Sequence, residues 1–274
     1  MNVGVIVRDS VNPEEAICHA TELGFFNGQL SGSQGELQTR EHAEELCRIC
    51  EKYHFEISAV IASWSGPRTW NFYDGPLTLG LLPEAYRFQR IQEIQRAIDY
   101  AEMLGVSDVN THIGFIPEDP NCTAYREMVA AVKFICQYAA AKNIHFCLET
   151  GQETPIAMLR LILDTGAENI GVNFDPANLL MYGKANPVDA LDILGKYIRG
   201  VHGKDGDYPT TPFELGEEKA IGQGRVDFER FIPALKKTGY DGPVTIEREI
   251  SGPQQEKDIL MARDVLQKLI AALV

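Results

Sequence analysis

HFCLETGQETPIAMLRLILDTGAENIGVNFD, residues 145–175, is the stretch that decides the fold. It opens on a short apolar run, HFCLET at 145–150, and closes on another, NIGVNFD at 169–175. The segment between them, Pro155 to Thr165, reads as a helix. A strand, a helix and a second strand in that order form a parallel βα unit. Each of the two strands also delivers a carboxylate at its end, Glu149 and Asp175.

The same alternation continues in both directions. Upstream, NVGVIV at 2–7, the weaker FFNGQL at 25–30, EISAVIAS at 56–63 and VSDVNTHI at 106–113 read as strands. Downstream, YIRGVH at 197–202 and PVTIE at 243–247 complete the set. Helices fill the gaps. The first runs from Asn12, an N-cap with Pro13 at N1, to its stop at Gly24, and the next covers 39–53. Glu84 to Leu104 carries Phe88, Ile91, Ile94, Ile98 and Ala101 as one core-facing stripe. Tyr125–Ala141, Pro187–Leu194, Phe228–Thr238 and Gln255–Ala272 follow. Eight βα units with no Gly-rich nucleotide fingerprint after strand one predict an α/β fold. The expected architecture is a single (β/α)8 TIM barrel, one domain over residues 1–274. The connections at 64–83 and 203–226 are too long to be joints and follow strands, so both are expected to act as lids over the barrel mouth.

Four consecutive strands end in Glu149, Asp175, His202 and Glu247. Neighbouring strands stand about 4.8 Å apart, so these side chains can converge on one point. Three carboxylates at such range would repel one another and drive their pKa values up unless a cation joined them. One such group alone is commonly a helix cap. Four at successive strand ends, one of them an imidazole, predict a divalent-metal site with oxygen ligands and one nitrogen. That set suits Mn²⁺, Mg²⁺, Co²⁺ or Zn²⁺, with the oxygen-rich preference leaning to Mn²⁺ or Mg²⁺.

Composition narrows the partners. The formal charge is −14, with 39 acidic against 25 basic side chains, which disfavours nucleic acid and anionic membrane surfaces. The N-terminus lacks a signal-peptide pattern and no apolar run reaches the ~18 residues of a membrane span. Six cysteines scattered over a long chain suit reduced thiols, so a cytoplasmic location is expected. Cys47 and Cys50 form a CxxC inside a helix-like run, with no second pair to make a zinc site.

Five stretches resemble a known family: HFCLETGQETP at 145–155, GVNFDPANLLMYG at 171–183, VHGKDG at 201–206, LGEEKAIGQGRVDF at 215–228 and GYDGPVTIERE at 239–249. The chain is similar to the xylose isomerase-like sugar isomerase/epimerase superfamily, which includes the D-tagatose 3-epimerases, the inosose dehydratases and, more distantly, endonuclease IV. The resemblance implies that Glu149, Asp175, His202 and Glu247 bind one metal ion and that Glu149 and Glu247 also move protons. It implies a ketose or keto-sugar substrate that isomerises or epimerises through a metal-stabilised enediolate; a lyase or dehydratase is the alternative. One position departs from the pattern. The epimerases carry a histidine three residues after the strand-six aspartate, and here that residue is Asn178, an amide that does not titrate. Self-association into a homo-oligomer is a further family expectation.

Other residues are expected near substrate. His112 ends strand four, Lys204 follows His202, and Arg248 follows Glu247 and faces either the site or the helices. Trp64, Trp70 and Tyr182 are candidates for an apolar wall against a sugar face. Asp205 is expected to orient a neighbouring histidine or lysine. Gly222-Gln223-Gly224 reads as a turn, and His19, His42 and His54 lie away from the rim.

Overall fold

A computed structural model describes residues 1–273. Eight parallel strands close a barrel: β1 (Asn2–Arg8), β2 (Asn27–Ser31), β3 (Glu56–Ile61), β4 (Asp108–Thr111), β5 (His145–Glu149), β6 (Ile170–Phe174), β7 (Ile198–Gly203) and β10 (Pro243–Ile246). Closure comes from β1, which pairs with β2 on one side and β10 on the other. Two short strands, β8 (Asp205–Gly206) and β9 (Glu218–Lys219), form an antiparallel ladder inside the connection after β7.

The helices are α1 (Pro13–Glu22), α2 (Arg40–Tyr53), α3 (Gly75–Thr78), α4 (Glu84–Leu104), α5 (Thr123–Ala140), α6 (Pro155–Thr165), α7 (Pro176–Met181), α8 (Pro187–Leu194), α9 (Phe228–Lys237) and α10 (Pro253–Ala271). Local chemistry sets their ends. In α6 the Thr154 side chain accepts from the Ala157 N–H, Pro155 occupies the first turn, and Gly166 stops the helix at φ 62°. Asn186 caps α8 in the same way, ahead of Pro187. Among the described residues no helix is long and apolar enough to cross a membrane.

One stripe differs from the periodicity. Phe88 is exposed, whereas Arg90 of the same helix is fully buried. Its guanidinium donates to the carbonyls of Ser65, Pro67 and Gly80 at 3.2, 3.0 and 2.6 Å. It also stacks on Trp64 at 4.1 Å. A planar cation with five donors thus holds both ends of the 64–83 connection, a role no aliphatic residue can take.

The barrel interior is polar where such barrels usually carry Val, Ile and Leu. Gln29, Asn110, Asn173, His202 and Thr245 are all buried. Gln29 Nε2 donates to Asn173 Oδ1 at 2.9 Å and Asn110 Nδ2 donates to Gln29 Oε1 at 2.8 Å. These bonds join β2, β4 and β6, strands that are not neighbours, so they cross the interior. Buried amides must find partners, and here they find one another.

Candidate metal centre

Register brings the strand ends together. His202 lies opposite Thr245 in the β7–β10 pair, and Glu149 lies opposite Asn173 in the β5–β6 pair. Glu247, one residue beyond β10, is tied by its N–H to Gly203 O at 3.2 Å. One ligand atom from each of Glu149, Asp175, His202 and Glu247 falls within 4.8 Å of all the others. His202 Nδ1 is the hub, at 3.3 Å from Glu149 Oε1, 3.4 Å from Asp175 Oδ2 and 3.3 Å from Glu247 Oε2. Adjacent ligands of an octahedral ion with bonds of about 2.1–2.2 Å stand about 3 Å apart, so this donor set fits a divalent cation after a small contraction.

Asp175 divides its two oxygens. Oδ1 accepts the N–H of Asn178 at 2.8 Å and so caps α7, while Oδ2 faces His202. Capping and ligation are therefore compatible readings of one residue.

A ring of polar contacts surrounds the cluster. His112 Nε2 lies 3.2 Å from Glu149 Oε1. Asn178 reaches toward Glu149 Oε1 with Nδ2 at 3.5 Å and accepts from Lys204 Nζ with Oδ1 at 3.3 Å. Lys204 in turn donates to Glu247 Oε2 at 3.0 Å and pairs with Glu249 at 3.1 Å. His112, Asn178 and Lys204 thus stand beside the four clustered residues.

Two expectations are corrected. Arg248 turns away: its Nε donates to Asp258 of α10 at 2.8 Å and its Nη1 pairs with Glu218 of β9 at 2.9 Å. The alternation of side chains along an extended segment sends Glu247 inward and its neighbour outward. Trp64 is buried between Arg90 and the chain, with its indole N–H on the His112 carbonyl at 3.3 Å, so it supports the site from behind. The accessible aromatic is Trp70, 45% exposed and edge-on to His112 at 5.1 Å between centroids. Tyr182 is buried against Phe72 and Phe115.

Asp205 also has a different task from the one expected. Its carboxylate accepts the N–H groups of Gly206, Gly222, Gly224 and Val226 at 2.8–3.0 Å, which anchors the connection after β7. Gly224 is required there, because a Cβ would stand 2.3 Å from Asp205 Oδ1. The 64–83 connection is linked to this one, since Tyr73 stacks on Phe213 at 5.8 Å.

The sequence profile described as xylose isomerase-like TIM barrel matches residues 18–269. The chain belongs to this family. A xylose isomerase domain protein from Planctomyces limnophilus is 31% identical, with a TM-score of 0.93 over 99% of this chain and 98% of that one. A D-tagatose 3-epimerase-like protein superposes with a TM-score of 0.76 at 22% identity, over 99% of this chain and 98% of that one. An inosose dehydratase of Lacticaseibacillus casei is 26% identical over 120 residues, 38% of this chain and 39% of that one. The chain spans between 38% and 63% of the length of the curated relatives it matches.

Charge in this xylose isomerase-like site is self-compensating. Burial would raise Glu149, but the imidazoles of His112 and His202 overcome it and hold the carboxyl down at about 2. Burial would likewise raise Glu247, which Lys204 and His202 hold well below the usual carboxylate range. The converse applies to His202. Burial favours its neutral form, yet Glu247 and Glu149 push its pKa well above the ordinary histidine value. An imidazolium therefore supplies the positive charge, and an entering metal ion must displace its proton. The sign follows: proton release would accompany binding, so affinity for Mn²⁺ is expected to rise with pH until the raised pKa of His202 is passed. Calorimetric titration in buffers of different ionisation heat checks this; a binding heat independent of buffer contradicts it.

Sequence reading passed over Glu153, which lies in the loop after β5 and is buried with Oε2 unpartnered. Burial pushes its carboxyl up to about 7, against the opposing pull of the Gly151 N–H and His112. Its one sequence signal is a second acid four residues after Glu149 in ETGQE. A raised carboxyl means that ionisation opposes folding as pH climbs from the unfolded value of about 4.3 toward about 7. Glu153→Gln is expected to be more stable than the parent by up to about 3 kcal/mol at alkaline pH, the gap closing near pH ~4. Urea unfolding at both ends of that range measures it, and a gap that does not change with pH contradicts the assignment.

Proposed function

We propose that this protein is a divalent-metal-dependent sugar isomerase or epimerase acting on a ketose or keto-sugar derivative. The observation that carries the reading is the convergence of Glu149, Asp175, His202 and Glu247 within 4.8 Å. When bound by these four residues, an ion of the Mn²⁺ or Mg²⁺ type supplies Lewis-acid charge to a substrate carbonyl and its neighbouring hydroxyl. The protein's own groups do the proton work. Glu149 and Glu247 are held ionised and are the bases available to take a carbon-bound proton and return it. Two bases acting on opposite faces invert the carbon, and one base returning the proton to the adjacent carbon isomerises. His112 and Lys204 offer donors to substrate oxygens, and Trp70 offers an apolar face.

A second reading, a lyase or dehydratase, rests on Asn178. The amide occupies the position where a titratable histidine touches substrate in the epimerases, so no imidazole is available there for proton transfer. The inosose dehydratase relative is consistent with elimination from the same site.

Incubation with a panel of ketoses and inososes in D₂O, with Mn²⁺, Mg²⁺ or Co²⁺ added, tests both. Deuterium at the carbon next to the carbonyl, in a substrate whose carbon skeleton and oxygens are retained, supports the isomerase. Loss of water from the substrate supports the dehydratase. The absence of both with every metal counts against the site as a proton-transfer centre.

A further inference from the structure

We infer that Gln29 is a positioning residue for the metal centre: its side-chain oxygen holds the Nε2 proton of His202 and thereby leaves Nδ1 as the lone pair offered to the ion. The inference rests on the metal-site reading and adds a residue to it from the far side of the barrel.

The geometry is specific. Nδ1 of His202 faces the three carboxylates, so Nε2 points down the barrel axis, away from them. Two amide atoms meet it there, Gln29 Oε1 at 3.0 Å and Asn173 Nδ2 at 3.0 Å. Of the atoms of these two amides only the oxygens can accept an N–H, and the oxygen of Asn173 is already taken by Gln29 Nε2 at 2.9 Å. Gln29 Oε1 is thus the acceptor within reach. A second donor favours this orientation of the amide. Asn110 Nδ2 donates to the same oxygen at 2.8 Å, and with Asn110 so placed, turning the Gln29 amide over would set NH₂ against NH₂.

The backbone makes room for this arrangement. A Cβ on Gly200 would stand 2.3 Å from Asn173 Oδ1 and 3.2 Å from Gln29 Nε2, so a glycine at that point of β7 leaves the space that the amide pair fills. All three amide residues are at most 1% exposed. The polar layer beneath the strand ends, an unusual content for a barrel core, then has a reason: it selects one imidazole tautomer. Without that acceptor, the neutral ring is free to carry its proton on Nδ1, where it blocks the ion, with Asn173 Nδ2 donating to Nε2.

The test uses the whole protein with Mn²⁺ or Mg²⁺ alone as the probe, and compares Gln29→Met with Gln29→Glu. Gln29→Met keeps the volume and removes the acceptor; calorimetry is expected to show Mn²⁺ affinity lowered about 10–100-fold. Nitrogen-15 NMR of labelled histidine, with the His202 signal identified by its loss in His202→Asn, reads the tautomer directly. The parent Mg²⁺ complex is expected to carry its proton on Nε2. Metal-free Gln29→Met at alkaline pH is expected to shift toward the Nδ1-protonated form, which mere destabilisation does not produce. Gln29→Glu retains an acceptor and is expected to keep parental affinity to within a few-fold, with the Nε2 proton moved downfield. Should Gln29→Met fail to fold, that downfield movement carries the test alone. Equal Mn²⁺ affinity in parent and Gln29→Met, or an Nε2 resonance indifferent to Gln29→Glu, overturns the inference. If the parent itself binds neither ion, the metal-site reading has failed and the inference falls with it.

Discussion

Glu247→Gln and Glu149→Gln are each expected to slow substrate turnover by a factor of about 10³ or more at saturating Mn²⁺, within the span of general-base contributions. The pattern left behind is as informative as the loss. Each proposed base is held ionised by its own set of partners, Glu149 by His112 and His202 and Glu247 by Lys204 and His202. If they serve opposite faces of one carbon, either substitution abolishes conversion while deuterium exchange survives in the one epimer whose proton the remaining base removes. If a single base does all the work, one substitution eliminates both exchange and conversion. Proton NMR of both epimers in D₂O distinguishes these cases. Turnover and exchange at parental rates in either variant removes that glutamate from the chemistry. Saturating metal is essential, because both residues are also proposed ligands and a weakened site would otherwise imitate a lost base.

Arg90→Met is expected to produce a large loss of stability. Three carbonyls, those of Ser65, Pro67 and Gly80, depend on this one guanidinium, and the Trp64 ring lies against it at 4.1 Å. A methionine fills much of the space but donates nothing. The bond to Gly80 is buried, so leaving that carbonyl unpartnered costs about 1–3 kcal/mol. The carbonyls of Ser65 and Pro67 are only part-buried and regain water, and the lost stacking on Trp64 adds about 0.5–2 kcal/mol, so a total of about 3 kcal/mol is expected. For a chain of this length that corresponds to a fall in Tm of about 6–12 °C. The effect also reaches the site. Trp64 holds the His112 carbonyl, and Trp70 stands edge-on to the His112 ring, so KM is expected to rise more than kcat falls. A Tm within a degree or two of the parent would falsify the view that Arg90 organises the 64–83 connection. Lysine is not a substitute, because one ammonium cannot address three carbonyls in a plane and also stack on an indole.

These two expectations differ in how early they can be seen. Glu149 and Glu247 stand at the ends of strands whose limits follow from the local pattern of apolar residues, prolines and glycines. Pro155 and Gly166 mark α6 within one residue, as Pro187 and Leu194 do for α8. Once the strands are placed, parallel pairing sends their final side chains to one rim, and four metal-ligating types at successive ends are visible without coordinates. Arg90 gives no such sign. Periodicity placed the neighbouring Phe88 in the stripe, yet the phenyl ring is exposed and the guanidinium is buried. What reverses them is the connection folded over the helix, whose carbonyls need donors, and a pattern of apolar spacing carries no information about that demand.

Arg248 and Gln29 show the same division from the other direction. Alternation along the chain allowed Arg248 to face either way, and only Glu218 and Asp258, brought up from β9 and α10, decide that it faces outward. Gln29 sits in the weakest of the strand signals, NGQLS, and resembles any other surface amide in isolation. Its partners Asn173 and His202 lie 144 and 173 residues further along the chain. By itself, then, the sequence determined the strand–helix alternation, the closed barrel and the four side chains at its mouth, because each depends on interactions among residues close in the chain or on the geometry of parallel pairing. Tertiary structure alone decided which amide lies against the histidine, which arginine holds the 64–83 connection and which arginine leaves the site, because those outcomes depend on hydrogen-bond partners that only closure of the barrel brings within 3 Å.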